Sequence, residues 1–308
     1  MSFSDRDGVI WFDGQLVPWR EAKVHVLTHT LHYGLGVFEG VRAYETQDGV
    51  RIFRLQDHTD RLLRSAHILG MNIPFSREEL MEAQRTVVRE NNLSQAYLRP
   101  MCFYGSEGMG LKAQGLGTHC IVAAWEWPSY VSPQTLKEGI KVRTSSYTRH
   151  HVNITLCKAK SNGNYVNSML ALQEAVSCGC DEAVMLDNEG YVAEGSAMNI
   201  FIVKPDGVLC TPGGTSCLEG ITRDTIMQLA REQGWEVREK RITRDEVYIA
   251  SEAFMTGTAA EILPVREYDG RVIGDGSRGP VTSRLQTLYF DQVSGKRQQR
   301  PEWLTDPA

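Results

Sequence analysis

The segment Cys157-Lys158-Ala159-Lys160-Ser161-Asn162-Gly163-Asn164-Tyr165 follows a polar strand end and runs into an apolar helix. Taken alone, two lysines at such a junction are ordinary solvated charges. A lysine changes its protonation readily when it is desolvated, however, and then serves as an amine nucleophile, the chemistry of a Schiff-base lysine. On a strand Lys158 and Lys160 share a face, so spacing does not choose between them. The helix that follows spans 164–176, with Tyr165, Met169, Leu172 and Val176 on one face and Gly179 just past its end.

Downstream, strands are expected at Glu182–Leu186, Tyr191–Ala193 and Asn199–Val203, separated by the turns Asp187-Asn-Glu-Gly190 and Lys204-Pro-Asp-Gly207. Glu194 leaves an apolar strand in Tyr191-Val-Ala-Glu-Gly-Ser196. It is either a surface carboxylate or the acid partner of a pyridinium nitrogen. Two small polar loops lie beside helix starts, Gly220-Ile221-Thr222-Arg223 and Thr256-Gly257-Thr258-Ala259. A helix N-terminus offers unpaired N–H groups and a positive dipole end, and threonine hydroxyls add donors. Each loop alone is a helix cap; the two together with Arg61 suit one phosphate dianion. Helices are expected over 223–232, stopping at Gly234, and from Pro280 through Phe290. Thr243-Arg-Asp-Glu246 is a capping box. The polar tail Lys296–Ala308 reads as loose.

Upstream, Asp13-Gly14 and Asp48-Gly49 sit between short apolar runs and read as two hairpins, 9–17 and 41–53. Helices follow at His58–Leu69 and from the capping box Ser76-Arg-Glu-Glu79 through Val88, then strands at Ala96–Tyr104 and Cys120–Trp127. This half reads as α+β with an antiparallel sheet. The prolines of Pro128-Ser-Tyr-Val-Ser-Pro133 mark a boundary. The expected division is a small α+β domain over 1–127, a linker over 128–134 and a larger domain over 135–308 that carries the lysine.

A chain of 308 residues agrees with two domains at about 150 residues each. Its 42% hydrophobic and 23% charged residues exclude a collagenous or disordered chain. With 33 basic against 38 acidic residues the net charge is −5, which argues against nucleic acid and against an anionic membrane. No run reaches the roughly 18 apolar residues of a membrane span, and Met1–Gly8 has no signal-peptide core. Seven scattered cysteines without a C-x-x-C pair fit reduced thiols in the cytoplasm. Gly34-Leu-Gly36-Val-Phe-Glu-Gly40 does not match the dinucleotide fingerprint and no phosphate-loop motif occurs, so a nucleotide enzyme lacks its signature. His25, His29 and His32 have the spacing of one helix face and could hold zinc, but no H-E-x-x-H accompanies them, and no metal is expected.

In order along the chain, these pieces resemble the fold-type IV pyridoxal 5'-phosphate enzymes, and among them the branched-chain amino acid aminotransferases. The resemblance rests on His32-Tyr33-Gly34, Val37-Phe38-Glu39-Gly40, Tyr97-Leu98-Arg99-Pro100, Gly108-Met109-Gly110, Lys160 with Asn164-Tyr165, Glu194-Gly195-Ser196, Gly220-Ile-Thr-Arg-Asp224 and Gly257-Thr-Ala-Ala-Glu261. It spans roughly residues 10 to 290. It implies a mixed α/β, α+β fold of two domains: a small one with an antiparallel sheet, and a larger one with a barrel-like sheet and helices, the cofactor lying between them. It also implies which lysine acts. The family's Schiff-base lysine stands five residues before a tyrosine that reaches the cofactor's 3-oxygen, which selects Lys160 with Tyr165. Arg61, the N–H groups near Ile221 and Gly257, Thr222 and Thr258 map to the phosphate contacts, and Glu194 maps to the partner of the ring nitrogen.

For the substrate, the resemblance implies a side-chain pocket lined by Tyr33, Phe38, Gly40, Met109, Leu111, Trp127 and Tyr130. Tyr97 and Thr258-Ala259 match the α-carboxylate contacts, and Arg99 the group that receives the second carboxylate of glutamate. The implied reaction is ping-pong transamination of L-leucine, L-isoleucine and L-valine with 2-oxoglutarate, giving branched 2-oxo acids and L-glutamate. Some pocket residues, those at Tyr33 and Leu111 included, reach across a subunit interface in the family, so a homodimer or a dimer-based homo-oligomer is expected. One departure is visible. Many members have Ser-Gly-Glu-Asn after the nitrogen-binding glutamate, where this chain has Ser196-Ala197-Met198-Asn199. D-Amino-acid and amine transaminases and aminodeoxychorismate lyases share the fold. Tyr97-Leu-Arg-Pro100 followed by Gly108-Met-Gly110 looks like the L-branched-chain group. A colourless, catalytically idle metabolite-binding protein is the reading from another class, and Lys160 argues against it.

Overall fold

The computed structural model describes residues 2–113, 115–127 and 131–308. Asp13 and Gly14 both take positive φ, 46° and 91°, the combination that matches the twist of a two-residue hairpin. They join β1 (Val9–Phe12) to β2 (Gln15–Pro18) in antiparallel register. A short helix, α1 (His29–Tyr33), is closed by Gly34 in the left-handed conformation at φ 72° and leads to β3 (Gly36–Phe38). The second hairpin pairs β4 (Val41–Thr46) with β5 (Gly49–Phe53). Then come α2 (Leu55–Ile68), α3 (Arg77–Glu90) behind its formed Ser76–Glu79 capping box, β6 (Ala96–Tyr104) and β7 (Thr118–Glu126).

The chain continues through α4 (Thr135–Glu138), β8 (Ile140–Thr144), α5 (Tyr165–Ser177), β9 (Glu182–Leu186), β10 (Val192–Gly195), β11 (Asn199–Val203) and β12 (Leu209–Pro212). It ends with α6 (Ile221–Glu232), β13 (Val237–Lys240), α7 (Arg244–Tyr248), β14 (Glu252–Gly257), β15 (Glu261–Tyr268), β16 (Arg271–Val272), α8 (Pro280–Val293) and β17 (Leu304–Thr305). This is the mixed α and β architecture expected.

Two compact units result: Met1–Pro128 with Ala159–Gly163 and Gln292–Ala308, and Ser129–Lys158 with Asn164–Asp291. The first holds an antiparallel sheet in the order β17-β5-β4-β6-β7-β1-β2, with β3 also on β6. Leu55, Leu62, Leu80, Val87, Leu98 and Val122 fill its core. Each such side chain contributes about 1.5–3 kcal/mol by leaving water. The second holds a mixed sheet in the order β10-β9-β8-β15-β14-β11-β12-β13, with β16 on β15, curled as a half-barrel. Its β8–β9, β8–β15 and β12–β13 pairs are parallel.

The units are not contiguous in sequence, whereas the sequence reading divides the chain in one place. Ala159–Gly163 groups with the first unit because it pairs with β3. The Phe38 N–H donates to Lys160 O, Ser161 bridges Val37, and the Asn162 N–H donates to Gly36 O. The tail, expected to be loose, is also anchored there. β17 pairs with β5, Trp303 is buried against Phe53, and the Arg54 N–H donates to Trp303 O at 2.7 Å. The polar residues around Trp303 hid a single large apolar anchor.

Two further expectations change. Of the expected stripe on α5, Met169 and Val176 are exposed and Tyr165 and Leu172 only half-buried, and Ser168, Ala171 and Ala175 form the buried face against Ala183 and Met185. Small side chains let the helix lie close to β9, so packing distance outweighs side-chain size. The three histidines do not share a helix, since α1 begins at His29 and leaves His25 outside. His29 Nε2 meets Gly110 O at 2.8 Å and His32 Nε2 meets Val26 O at 2.9 Å.

Candidate active site

In the first unit the Lys160 backbone is fixed at both ends. Its carbonyl accepts from Phe38, and its N–H donates to Ser65 Oγ at 3.0 Å. Its side chain places Nζ 5.1 Å from the centre of the Phe38 ring, and the Arg99 guanidinium carbon stands 4.8 Å from the same centre. Arg99 also lies 5.5 Å from the Tyr97 ring and donates a long 3.5 Å bond to Tyr97 Oη. Two cations and an aromatic face thus meet on one residue, with attraction of about 0.5–2 kcal/mol for each such contact. Tyr97 is wedged between Trp125 and Trp127, ring centres 5.3 and 5.5 Å away. Gly40 leaves room for it: a Cβ there would lie 1.9 Å from Tyr97 Oη.

Behind Phe38 lies a fully buried charge group. Glu39 Oε1 accepts from Arg61 Nε at 2.6 Å, and Oε2 accepts from Arg61 Nη2 at 2.9 Å and from His58 Nδ1 at 2.7 Å. Burial raises the Glu39 carboxyl, but the Arg61 guanidinium and the His58 bond overcome it and hold the group well below the usual carboxylate range. Burial pushes His58 below the ordinary imidazole value, so a neutral ring donates its Nδ1–H.

In the second unit a bulge between Val192 and Glu194 turns the buried β10 and re-aims Glu194. Glu194 Oε1 lies 2.8 Å from Arg149 Nε in a buried ion pair. Glu194 Oε2 accepts from the Leu218 N–H at 3.2 Å and from Asn199 Nδ2 at 3.5 Å. Lys158 is engaged elsewhere, ion-paired to Glu219 at 2.9 Å and donating to Gly214 O. The two lysines therefore have different surroundings, a distinction their spacing could not supply.

The second unit also presents anion donors. Gly220 caps α6, whose first N–H groups at Ile221 and Thr222 have no partner within the helix, and Thr222 is buried. Arg223, by contrast, turns away to Thr211, Pro212 and Glu239 and is structural. The Thr256 hydroxyl is buried without a hydrogen-bond partner among the described residues, next to Gly257, Thr258 and Ala259 at the β14–β15 turn. A buried unspent hydroxyl and the free N–H groups of a helix start are both donors that suit a phosphate, and an ionised Glu194 suits a protonated ring nitrogen. This donor set fits pyridoxal phosphate. Tyr165 is the first residue of α5.

Tyr33, Met109 and Leu111 form a separate group at the surface of the first unit, tied by a Gly110 N–H bond to Tyr33 Oη at 3.1 Å. Leu111 is 90% exposed. Tyr130 lies outside the described residues. Met198, the departure noted above, is a core residue with its Cγ 3.2 Å from where a Gly257 Cβ would stand.

The sequence reading missed Glu39's contacts, His58, Ser65, Trp125 and Arg149. A signal existed for two of them. His58, Arg61 and Ser65 recur at helical spacing beside apolar Leu62 and Ala66, a polar line on a buried face. Arg149 gave none, because its partner is 45 positions away.

The family model described as amino-transferase class IV matches residues 36–268. The chain is 68% identical over 305 residues to the branched-chain-amino-acid aminotransferase of Pseudomonas aeruginosa, covering 99% of each chain. It is 47% identical over 297 residues to the enzyme of that name from Escherichia coli K12, covering 96% of each. The structure superposes with a TM-score of 0.96 on the T.th branched-chain amino acid aminotransferase with pyridoxamine 5'-phosphate, at 48% identity over 98% of this chain and 99% of that one. The T.th protein has also been solved with N-(5'-phosphopyridoxyl)-L-glutamate and with 4-methylvaleric acid.

Proposed function

The chain belongs to the class IV aminotransferases, among their branched-chain-amino-acid enzymes, and from that premise we propose that it exchanges the amino group of L-leucine, L-isoleucine and L-valine with 2-oxoglutarate through pyridoxal phosphate held by Lys160. The observation that carries this reading is the meeting of Lys160 Nζ and the Arg99 guanidinium on the Phe38 ring. It provides an amine for the chemistry, an apolar face for a branched side chain and a cation for a second carboxylate. The glutamate and 4-methylvaleric acid groups bound by the T.th protein support the same pair of substrates.

Bound pyridoxal phosphate supplies an electron sink for the carbanion at the amino acid's α-carbon. Arg61, the first N–H groups of α6, Thr222, Gly257 and Thr258 hold its phosphate. Tyr165 meets its 3-oxygen, and Glu194 holds a proton on its ring nitrogen. Lys160 Nζ takes the proton from the α-carbon and delivers it away from that carbon, acting first as base and then as acid. Tyr97, Thr258 and Ala259 orient the α-carboxylate. Phe38, Gly40 and Trp127 give the branched chain an apolar wall, which Met109 and Tyr130 extend and which Tyr33 and Leu111, at the surface of the first unit, complete across the interface of a dimer. A hydrophobic pocket separates leucine from valine by only about 1–3 kcal/mol per methylene, so all three amino acids are substrates. Arg99 receives the second carboxylate of 2-oxoglutarate and glutamate.

The working form in this proposal is a homodimer or an assembly of dimers. Exposed Val26, Leu31, Tyr33 and Leu111 support it, since a second copy would remove them from water. Its place is the cytoplasm, which the seven unpaired cysteines favour. No helix among the described residues is long and apolar enough to cross a membrane.

The test is the visible absorption of the purified protein with L-leucine, and with D-alanine as control. A cofactor band that bleaches with L-leucine alone supports the proposal. Bleaching with D-alanine alone would give the fold another substrate, and no band after adding cofactor would remove the catalytic reading.

A further inference from the structure

Arg149 stands where three elements meet. Its Nε is 2.8 Å from Glu194 Oε1 on β10, its Nη1 donates to Ser168 Oγ at 3.1 Å and to Asn167 Oδ1 at 3.4 Å on α5, and its own N–H donates to Leu186 O on β9. Its side chain is 7% exposed and that of Glu194 6%. The guanidinium therefore ties the carboxylate to the helix that begins at Tyr165. His150 beside it carries no charge, because burial pushes its ring down to about 4.

We infer that Arg149 is a positioning residue: it fixes Glu194 against α5 and keeps the proton shared by Glu194 and the cofactor on the ring nitrogen rather than on the carboxylate. The inference rests on the reading that Glu194 faces that nitrogen. In a buried pair one proton has two seats, a carboxylate oxygen or the pyridine nitrogen. The neutral acid and neutral ring are the favoured arrangement when burial alone decides, because burial penalises both charges. A guanidinium at 2.8 Å from the carboxylate reverses that preference, since it stabilises the anion and repels a proton placed on it. Arginine suits the position because it stays charged when buried and its planar fork reaches Glu194 and Ser168 at once. A ring nitrogen that keeps its proton is the better electron sink, so the effect belongs to the chemical step rather than to substrate binding.

The test uses the holoenzyme loaded with pyridoxal 5'-phosphate carrying nitrogen-15 in the ring. The ring-nitrogen resonance is read at neutral pH in the unsubstituted protein and in Arg149→Gln, Ser168→Ala and Glu194→Gln. Arg149→Gln is expected to move the resonance from the protonated toward the free-base position, and to lower kcat for L-leucine while KM holds. Ser168→Ala removes one anchor and suits a helix; it is expected to move the resonance the same way by less, and it decides the matter if Arg149→Gln does not fold. If Glu194→Gln moves the resonance while Arg149→Gln, or Ser168→Ala in its place, leaves it unchanged, the inference is overturned and the reading of Glu194 survives. If Glu194→Gln also leaves it unchanged, Glu194 does not face the nitrogen and both fall.

Discussion

Arg61 grips Glu39 through two nitrogens, Nε at 2.6 Å and Nη2 at 2.9 Å, and neither side chain is more than 4% exposed. Removing one partner leaves the other as an uncompensated buried charge. Glu39→Gln is expected to lower the free energy of unfolding by about 3–5 kcal/mol, and the double change Glu39→Leu with Arg61→Met by less than the sum of its parts. Urea titration of these variants, the two single changes to Leu and Met included, reads this directly. Arg61→Met is further expected to weaken pyridoxal phosphate binding and to leave binding of phosphate-free pyridoxal nearly unchanged, which equilibrium absorbance titration measures.

Gly40 is kept bare by Tyr97. A Cβ there would sit 1.9 Å from Tyr97 Oη, and the ring is held by Trp125 and Trp127, so the hydroxyl has little room to retreat. Gly40→Ala is expected to lower kcat/KM for L-leucine about 10- to 100-fold, as the loss of a bond to a charged carboxylate worth about 1.5–3 kcal/mol would do. Steady-state kinetics checks it, with a circular-dichroism melt to show that the fold persists.

The cysteines differ sharply in exposure. Cys178 is exposed, whereas Cys102, Cys120, Cys157, Cys210 and Cys217 are buried, and burial pushes the Cys217 thiol up to about 12. The thiolate is the reacting species. Brief iodoacetamide treatment of the native protein at mildly alkaline pH, read by peptide mass spectrometry, is expected to modify Cys178 first and Cys217 only after denaturation.

His150 makes stability depend on mild acid. Its folded value of about 4 is below its ordinary 6.5, with burial as the main cause and Arg149 as the second. Above pH 6.5 both the folded and unfolded chains carry a neutral ring, and the residue contributes nothing to the balance. As the pH falls toward 4 the unfolded chain takes up a proton that the folded chain resists, so the folded state loses stability across that window. His150→Gln is expected to show a shallower fall in Tm between pH 6.5 and 4 than the unsubstituted protein. Equal slopes would count against it.

Much of the fold was legible because its signals are local. Asp13-Gly14 and Ser76–Glu79 mark a hairpin and a helix start that are found where those residues place them, and the second hairpin forms with its turn one residue earlier than Asp48-Gly49, at Gln47-Asp48, Gly49 opening β5. The failures are long-range. Trp303 anchors a tail whose other residues are mostly polar, and the small face of α5 packs inward because β9 approaches closely. The site divides in the same way. Lys160 and Glu194 stand in motifs that can be read in order along the chain. The residues that hold the site's charges in place, Glu39 with His58 and Arg149 with Glu194, are joined across 19 and 45 positions by folding alone.

In the proposed reaction Lys160, rather than Lys158, carries the cofactor. Borohydride reduction of the pyridoxal phosphate-loaded protein, followed by proteolysis and mass spectrometry, locates the lysine that becomes permanently linked. The phosphopyridoxyl group is expected on Lys160 alone, with Lys158 unmodified because it is held by Glu219. A label on Lys158, or on no lysine of this segment, would rule out Lys160 as the cofactor's anchor.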